Sequence, residues 1–230
     1  MRRRRTSSLA LGLAALAGLA GTARAQSCVG LPAAGNGLLA VGFVGTDGQS
    51  GHSGGAAVRY GGRGAELQYR RFDGFANGTP WELAAQTSQR LSAPAEPRRS
   101  TCLVAGLAGY QANFDESGAA GQVIHYAETY QRLRVPVGVA RGRELSVLWG
   151  QFALIPFASA GALYQFERYD DPTTGRRTRS QIAPQISAGF GIRSAPFVLR
   201  TRVDWAWLRP YSLNGQHNWF VLNVQLGLGL

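Results

Sequence analysis

The chain has no lysine: all 24 of its Lys/Arg positions are arginine. Acidic residues number only 13, and charge of both signs makes up 16 % of the 230 residues. That is well under the usual quarter, and with 45 % hydrophobic content it excludes an intrinsically disordered chain. Histidine occurs three times and cysteine twice, with no metal-ligand spacing, phosphate-cradling glycine loop, dinucleotide fingerprint or heptad repeat, so no cofactor is expected. Past residue 25 no apolar run approaches the ~18 residues of a membrane-crossing helix. The absence of lysine reads as coding bias. The arginines are dispersed among apolar residues rather than gathered into one stripe, which argues against a nucleic-acid partner. The length fits one domain.

Residues 1–5 are basic, 9–20 are an apolar run of Leu, Ala and Gly, and Ala23-Arg24-Ala25 is a small-x-small cleavage site. This is the layout of a secretory signal peptide spanning residues 1–25. Five arginines leave with it, and the formal charge falls from +11 to +6. Cys28 raises a lipid-anchored alternative, but Ala25-Gln26-Ser27 makes a poor lipobox.

The remaining chain alternates with period two rather than 3.6. At the C-terminal end Phe220, Leu222, Val224, Leu226, Leu228 and Leu230 occupy every even position, with Asn223, Gln225, Gly227 and Gly229 between them. Upstream, Phe197, Leu199, Thr201, Val203, Trp205 and Trp207 oppose Arg200, Arg202 and Asp204. Similar alternation predicts ten strands near 38–46, 54–61, 64–72, 81–91, 101–111, 123–140, 145–170, 181–193, 197–209 and 219–230. Many exceed the usual five or six residues and match a tilted path across a bilayer. The seventh is long enough that 146–152 reads as a turn or a bulge. Short turns are expected at 61–64, 141–143 and 194–196, with 93–100 a longer one on the same side. Polar loops are expected at 46–53, 73–80, 112–122, 171–180 and 210–218. Short turns at one end and long loops at the other mark an outer-membrane barrel with both termini in the periplasm. Tyr60, Tyr69, Trp81, Tyr164, Phe166, Trp205, Trp207 and Phe220 fall toward strand ends on the apolar phase, where interfacial aromatic girdles sit.

In this pattern residues 38–230 resemble the small outer-membrane β-barrels of the OmpA-like and OmpX-like class. The resemblance implies an all-β, antiparallel, up-and-down transmembrane β-barrel of about ten strands, preceded by a periplasmic N-terminal segment at 26–37. It implies residence in the bacterial outer membrane, contact with membrane lipid and lipopolysaccharide, and assembly by the barrel-assembly machinery. Members of the class commonly end in an aromatic residue; this chain ends in Leu230.

Arg59, Glu66, Arg70, Glu82, Arg90, Arg132, Arg134, Glu167, Arg200, Arg202 and Asp204 fall on the polar phase and are expected to face the lumen. There they form either a salt-bridge plug or the lining of a narrow anion-preferring pore. Arg176, Arg177 and Arg179, in the expected loop 171–180, have the chemistry to meet lipopolysaccharide phosphates, and a solvated loop is the plainer reading. Cys28 and Cys102 fall on the same oxidising side and are expected to pair, pinning the N-terminal segment across the barrel base. His52, His125 and His217 lie in or near expected loops; His52-Ser53 or His125 with Glu128 would be the raw material of a lipid-modifying enzyme, although isolated residues favour plain loop positions. The expected role is structural, adhesive or narrow-pore transport rather than catalysis. The competing classes are that enzyme and a soluble barrel or sandwich binding an apolar ligand. The second competitor requires apolar side chains to point inward.

Overall fold

A computed structural model describes residues 28–31, 38–47, 51–72, 80–91, 99–116, 126–148, 151–171, 175–208 and 219–229. The regular structure among them is entirely β: β1 (Leu38–Asp47), β2 (Gly51–Tyr60), β3 (Arg63–Phe72), β4 (Trp81–Arg90), β5 (Arg99–Glu116), β6 (Tyr126–Arg143), β7 (Leu145–Val147), β8 (Phe152–Asp171), β9 (Gly175–Ser194), β10 (Phe197–Ala206) and β11 (Trp219–Gly229). Strands adjacent in the wall run antiparallel, β11 returns to β1, and β6 pairs with β8. The sheet therefore closes. The three-residue β7 takes over the β6 side of β8 where β6 stops: Gly142 lies opposite Phe157, then Leu145 opposite Leu154. β6 and β7 act as one bent strand, and the wall is a ten-stranded antiparallel barrel. Closure leaves no edge strand for apolar chains to aggregate on.

The polarity of the wall is inverted relative to a soluble protein. Leu67, Leu83, Leu107, Val137, Ile186, Leu226 and Leu228 face outward, and Ile182 is 77 % exposed. Gln68, Arg70, Glu82, Arg134, Gln165, Arg200 and Asn223 on the intervening positions are buried in the lumen. Such a surface is stable only against hydrocarbon, so the barrel is of the membrane-embedded type. A barrel with an apolar, ligand-holding interior is thereby excluded. Aromatics bracket the apolar belt: Tyr60 and Phe197 at the short-turn end, Tyr69, Trp81, Tyr164 and Trp207 at the other. Trp205 and Trp207 lie with ring centroids 4.1 Å apart. From Phe197 to Trp207 is about 34 Å of strand, which a tilt of about 40° converts to a height of about 26 Å, the thickness of the apolar band of such barrels.

Three expectations change. The short turn expected at 141–143 is strand, and the chain reverses at 148–151, where Gln151 N donates to Leu148 O at 3.1 Å. Gly142 suggests a turn by composition, but it is a buried strand residue on the lumen side, opposite Phe157. The loops expected at 112–122 and 171–180 are shorter, because β5 runs on to Glu116 and β9 starts at Gly175. At 175–178 both faces of β9 are exposed, so alternation fades although pairing continues. Likewise β2 begins at Gly51, inside the loop expected at 46–53.

Candidate functional site

Inward residues come from every second position of each strand, so cross-strand register decides which of them meet. Arg200, fourth residue of β10 from the short-turn end, donates to Glu66 of β3 through Nη1 (2.8 Å) and Nη2 (2.5 Å), and through Nε to Gln225 of β11 at 2.7 Å. This bidentate fork is the strongest geometry available to a guanidinium and a carboxylate. Arg59, 2 % exposed, shares a small cavity with Glu66 and Ser88. Nearer the other end, Glu82 of β4 receives Arg70 (3.2 Å), Arg132 (3.4 Å) and Arg134. Arg202 donates to Asp204 (2.7 Å) and Gln86 (3.0 Å), and Ser187 Oγ donates to Asp204. Glu167 accepts from Gln165 (2.7 Å) and Tyr130 (2.5 Å). Between these clusters lies a cavity of about 80 Å³ lined by Glu66, Glu82, Arg134 and Arg202, among others. It has room for a handful of waters and does not amount to a channel.

Below the Arg200 cluster the lumen is filled differently. Residues 28–31 run inside the barrel. Cys28 is joined to Cys102 of β5, with Cα atoms 6.0 Å apart, and both are fully buried. Leu31 packs against Val41, Phe43, Ala57 and Val198. Val29 O accepts from Arg200 Nη1 at 3.4 Å, tying the segment to the ionic cluster above it. Gly30 has φ +74°, and a Cβ there would stand 2.5 Å from the Phe157 ring. A Cβ on Gly191 would stand 1.9 Å from Gly30 O, so both positions require glycine for the segment to pass. The expected pairing of the cysteines thus does more than pin the segment across the base: it holds it inside as a plug.

Toward the long-loop end the wall becomes unequal. β5, β6, β8 and β9 have 18 to 20 residues, whereas β1–β4, β10 and β11 have 10 or 11. The four long strands are contiguous and rise about 17 Å of strand length past Phe166. On the inner face of this raised sheet Tyr130, Tyr169 and Arg177 sit side by side across β6, β8 and β9, with Glu167 and Arg179 one step lower. Below them Arg132 lies 4.6 Å over the ring of Tyr110, which meets Phe72 and Tyr130 edge to face. On the outer face Asp170 accepts from Arg168 and Arg176, each at 2.8 Å, and the Arg168 bond in particular holds its carboxyl below the usual carboxylate range.

The sequence-derived lumen residues fall on the inward positions, with Arg90 at the short-turn end, where its Nη2 donates to Arg99 O at 3.2 Å. Arg176, Arg177 and Arg179 are on β9 rather than in a loop, and strand alternation divides them: Arg176 is on the outer face, Arg177 and Arg179 on the inner. His52 and Ser53 likewise point to opposite faces, His52 exposed and Ser53 buried, so they form no catalytic pair. The signal peptide, His125, His217 and residues 32–37 lie outside the described residues, as do the side chains of Glu128 and Phe220. The lumen amides Gln68, Gln86, Gln165 and Gln225 and the Tyr110–Tyr130 pair are further parts of the network. Their phase with Arg70, Glu82, Glu167, Arg200 and Arg132 was the signal that could have found them. No periodic signal marks Leu31.

No family profile matches the chain, and no characterised protein matches it in sequence. Among solved structures, the crystal structure of Ail, the attachment invasion locus protein of Yersinia pestis, in complex with the heparin analogue sucrose octasulfate, is similar over 84 % of this chain and 95 % of that one, at 13 % identity and a TM-score of 0.39. The closed barrel, apolar outside and polar within, has the architecture of the small outer-membrane barrels.

Proposed function

We propose that the chain is a bacterial outer-membrane barrel, exported through a cleaved signal peptide and inserted by the barrel-assembly machinery, that acts by surface attachment rather than conduction. The observation that carries this reading is the raised four-stranded sheet, whose inner face sets Tyr130, Tyr169 and Arg177 in one cross-strand row. Tyrosine and arginine are the residues that dominate binding surfaces, through rigid aromatic area and forked hydrogen bonds. Together they suit a partner with sugar rings to stack on and anionic groups to clasp. The filled lumen supports the same reading, since among the described residues a salt-bridged network above a stapled plug leaves a cavity of only about 80 Å³. On the outer face of the raised sheet, above the belt, Arg168 and Arg176 flank Asp170 and have the chemistry to meet lipopolysaccharide phosphates. Arg177 and Arg179 face the partner side instead.

The test is a cell-binding assay with the barrel displayed on a non-adherent host, beside planar-bilayer recording of the purified protein. Attachment lost on Y169A/R177Q with the barrel still heat-modifiable on a detergent gel, and no conductance steps, is the expected result. Stable conductance steps in the wild type, with attachment unaffected by those changes, would replace this reading with narrow-pore transport.

A further inference from the structure

The bond that ties the plug to the wall is sealed inside the molecule. Cys28 and Cys102 are each 0 % exposed, and Val29, Ala140 and Val104 close around them. Cys102 sits on β5 in register with Arg90 of β4 and Ala140 of β6. From there the plug crosses the lumen to the far wall. Gly30 lies against Phe157 of β8 and Gly191 of β9, and Leu31 packs on Val41 of β1, Ala57 of β2 and Val198 of β10. Arg200 of β10 donates to Val29 O. The wall thus holds the four residues 28–31 from several sides at once.

Making that bond takes more room than the closed barrel leaves. Thiol–disulfide exchange runs through a mixed disulfide. One thiolate attacks a sulfur of the oxidant's disulfide, and the second thiolate then attacks the bond so formed. Both electrons and both protons of the two thiols pass to the oxidant, which leaves as a dithiol. Each attack needs a sulfur open to the incoming one. An oxidant that is itself a protein must bring its own cysteine to Cys28 or Cys102, and a ten-stranded wall filled with side chains does not admit a second protein. The order of the chain supplies another moment. Both cysteines, and β1–β4 between them, precede β6, whereas β11, last of the described strands, completes the wall by pairing with β1. Until that pairing forms, the lumen is one face of an open sheet and both sulfurs are within reach.

We infer that the barrel closes around a plug already tied. A periplasmic protein with a reactive disulfide oxidises Cys28 and Cys102 before β11 meets β1, and the oxidised chain is what barrel assembly receives. The inference rests on the outer-membrane reading, which sends the chain through the oxidising periplasm. The reduced chain is offered to a thioredoxin-fold thiol oxidase in its disulfide form, either unfolded or after folding into detergent micelles. Heat-modifiability on a gel certifies the folded sample. The internal bond should form at least about tenfold more slowly on the folded chain, because the sulfurs are reached only through opening of the wall. A smaller difference, or an unfolded chain that the oxidase does not convert, would overturn the inference and leave the barrel reading intact. If the reduced chain does not fold in detergent, pulse-labelled cells decide instead, with free thiols trapped by a maleimide polymer during the chase. Chains that are not yet heat-modifiable should already carry the bond. A folded band that first carries free thiols and loses them later would overturn the inference. A protein that is never heat-modifiable would remove both readings together.

Discussion

The lumen is closed twice, by different physics. Toward the short-turn end it is filled by apolar contact and one covalent bond: Leu31 against Val41, Phe43, Ala57 and Val198, and Cys28 tied to Cys102. Toward the long-loop end it is filled by charge, with Glu82 receiving Arg70, Arg132 and Arg134. Arg200 joins the two regions, one nitrogen on Val29 O and two on Glu66. Apolar packing tolerates small rearrangements. A buried ionic cluster does not, because removing the one carboxylate shared by three arginines leaves them uncompensated in a low-dielectric space. The upper region should therefore be the more brittle of the two, and the lower the more dependent on its covalent tie.

The largest effect is expected from Glu82→Gln. It leaves three arginines around a neutral amide with the carboxylate gone, at a site 1 % exposed. A loss of about 3–5 kcal/mol is expected, read as a lower urea midpoint of the folded gel band. Arg134→Gln should cost less, roughly 1–2 kcal/mol, because Arg70 and Arg132 still neutralise the carboxylate. Equal losses in the two variants would show that the cluster is held by geometry rather than by its charge balance.

In the lower region the tie itself is next. Cys28→Ser with Cys102→Ser opens a loop whose ends are 74 residues apart in sequence and should cost about 2–4 kcal/mol. Reductant should reproduce that loss in the wild type and add nothing in the double variant. Leu31→Ala should cost about 2 kcal/mol in the oxidised protein. Its cost should shrink when the disulfide is absent, because a plug free to leave the lumen no longer depends on its packing. A double-mutant cycle measures the difference. Full additivity would mean that packing alone keeps the plug inside.

The same contrast between regions explains what could be read from sequence. Where one face of a strand meets lipid and the other the lumen, alternation is forced, and strands such as β10 and β11 are legible from Phe197, Leu199 and Leu222, Leu226 against Arg200, Arg202 and Asn223, Gln225. Above the belt, at 175–178, both faces of β9 are exposed and the signal disappears, so strand reads as loop. Arg176, Arg177 and Arg179 then looked like one cluster when the pleat separates them. At 141–143 a glycine between arginines imitated a turn. The inward charges were legible as a phase, but their partners were not, since pairing Arg200 with Glu66 or Arg134 with Glu82 depends on how far the sheet is sheared when it closes. The plug was legible only through its cysteine: four residues carry no period.

Asp170 offers the mildest and most pH-dependent test, because it lies outside the membrane on a sheet wet on both sides. Hydrogen bonds from Arg168 and Arg176 lower its folded pKa below that of the unfolded chain. The stabilisation it gives is therefore present above the unfolded carboxylate range and is lost as the pH falls through the folded value. Asp170→Asn should have an effect smaller than any of the lumen changes, since exposed ion pairs contribute little and salt screens them. The effect should show as faster tryptic cleavage after Arg176 and Arg177 at neutral pH, and the difference from wild type should vanish at acid pH and in high salt. A difference that persisted unchanged in acid would place the role of Asp170 in its shape rather than its charge. The raised sheet would then owe its order to strand pairing alone, a third way of holding structure beside the packed and the ionic regions of the lumen.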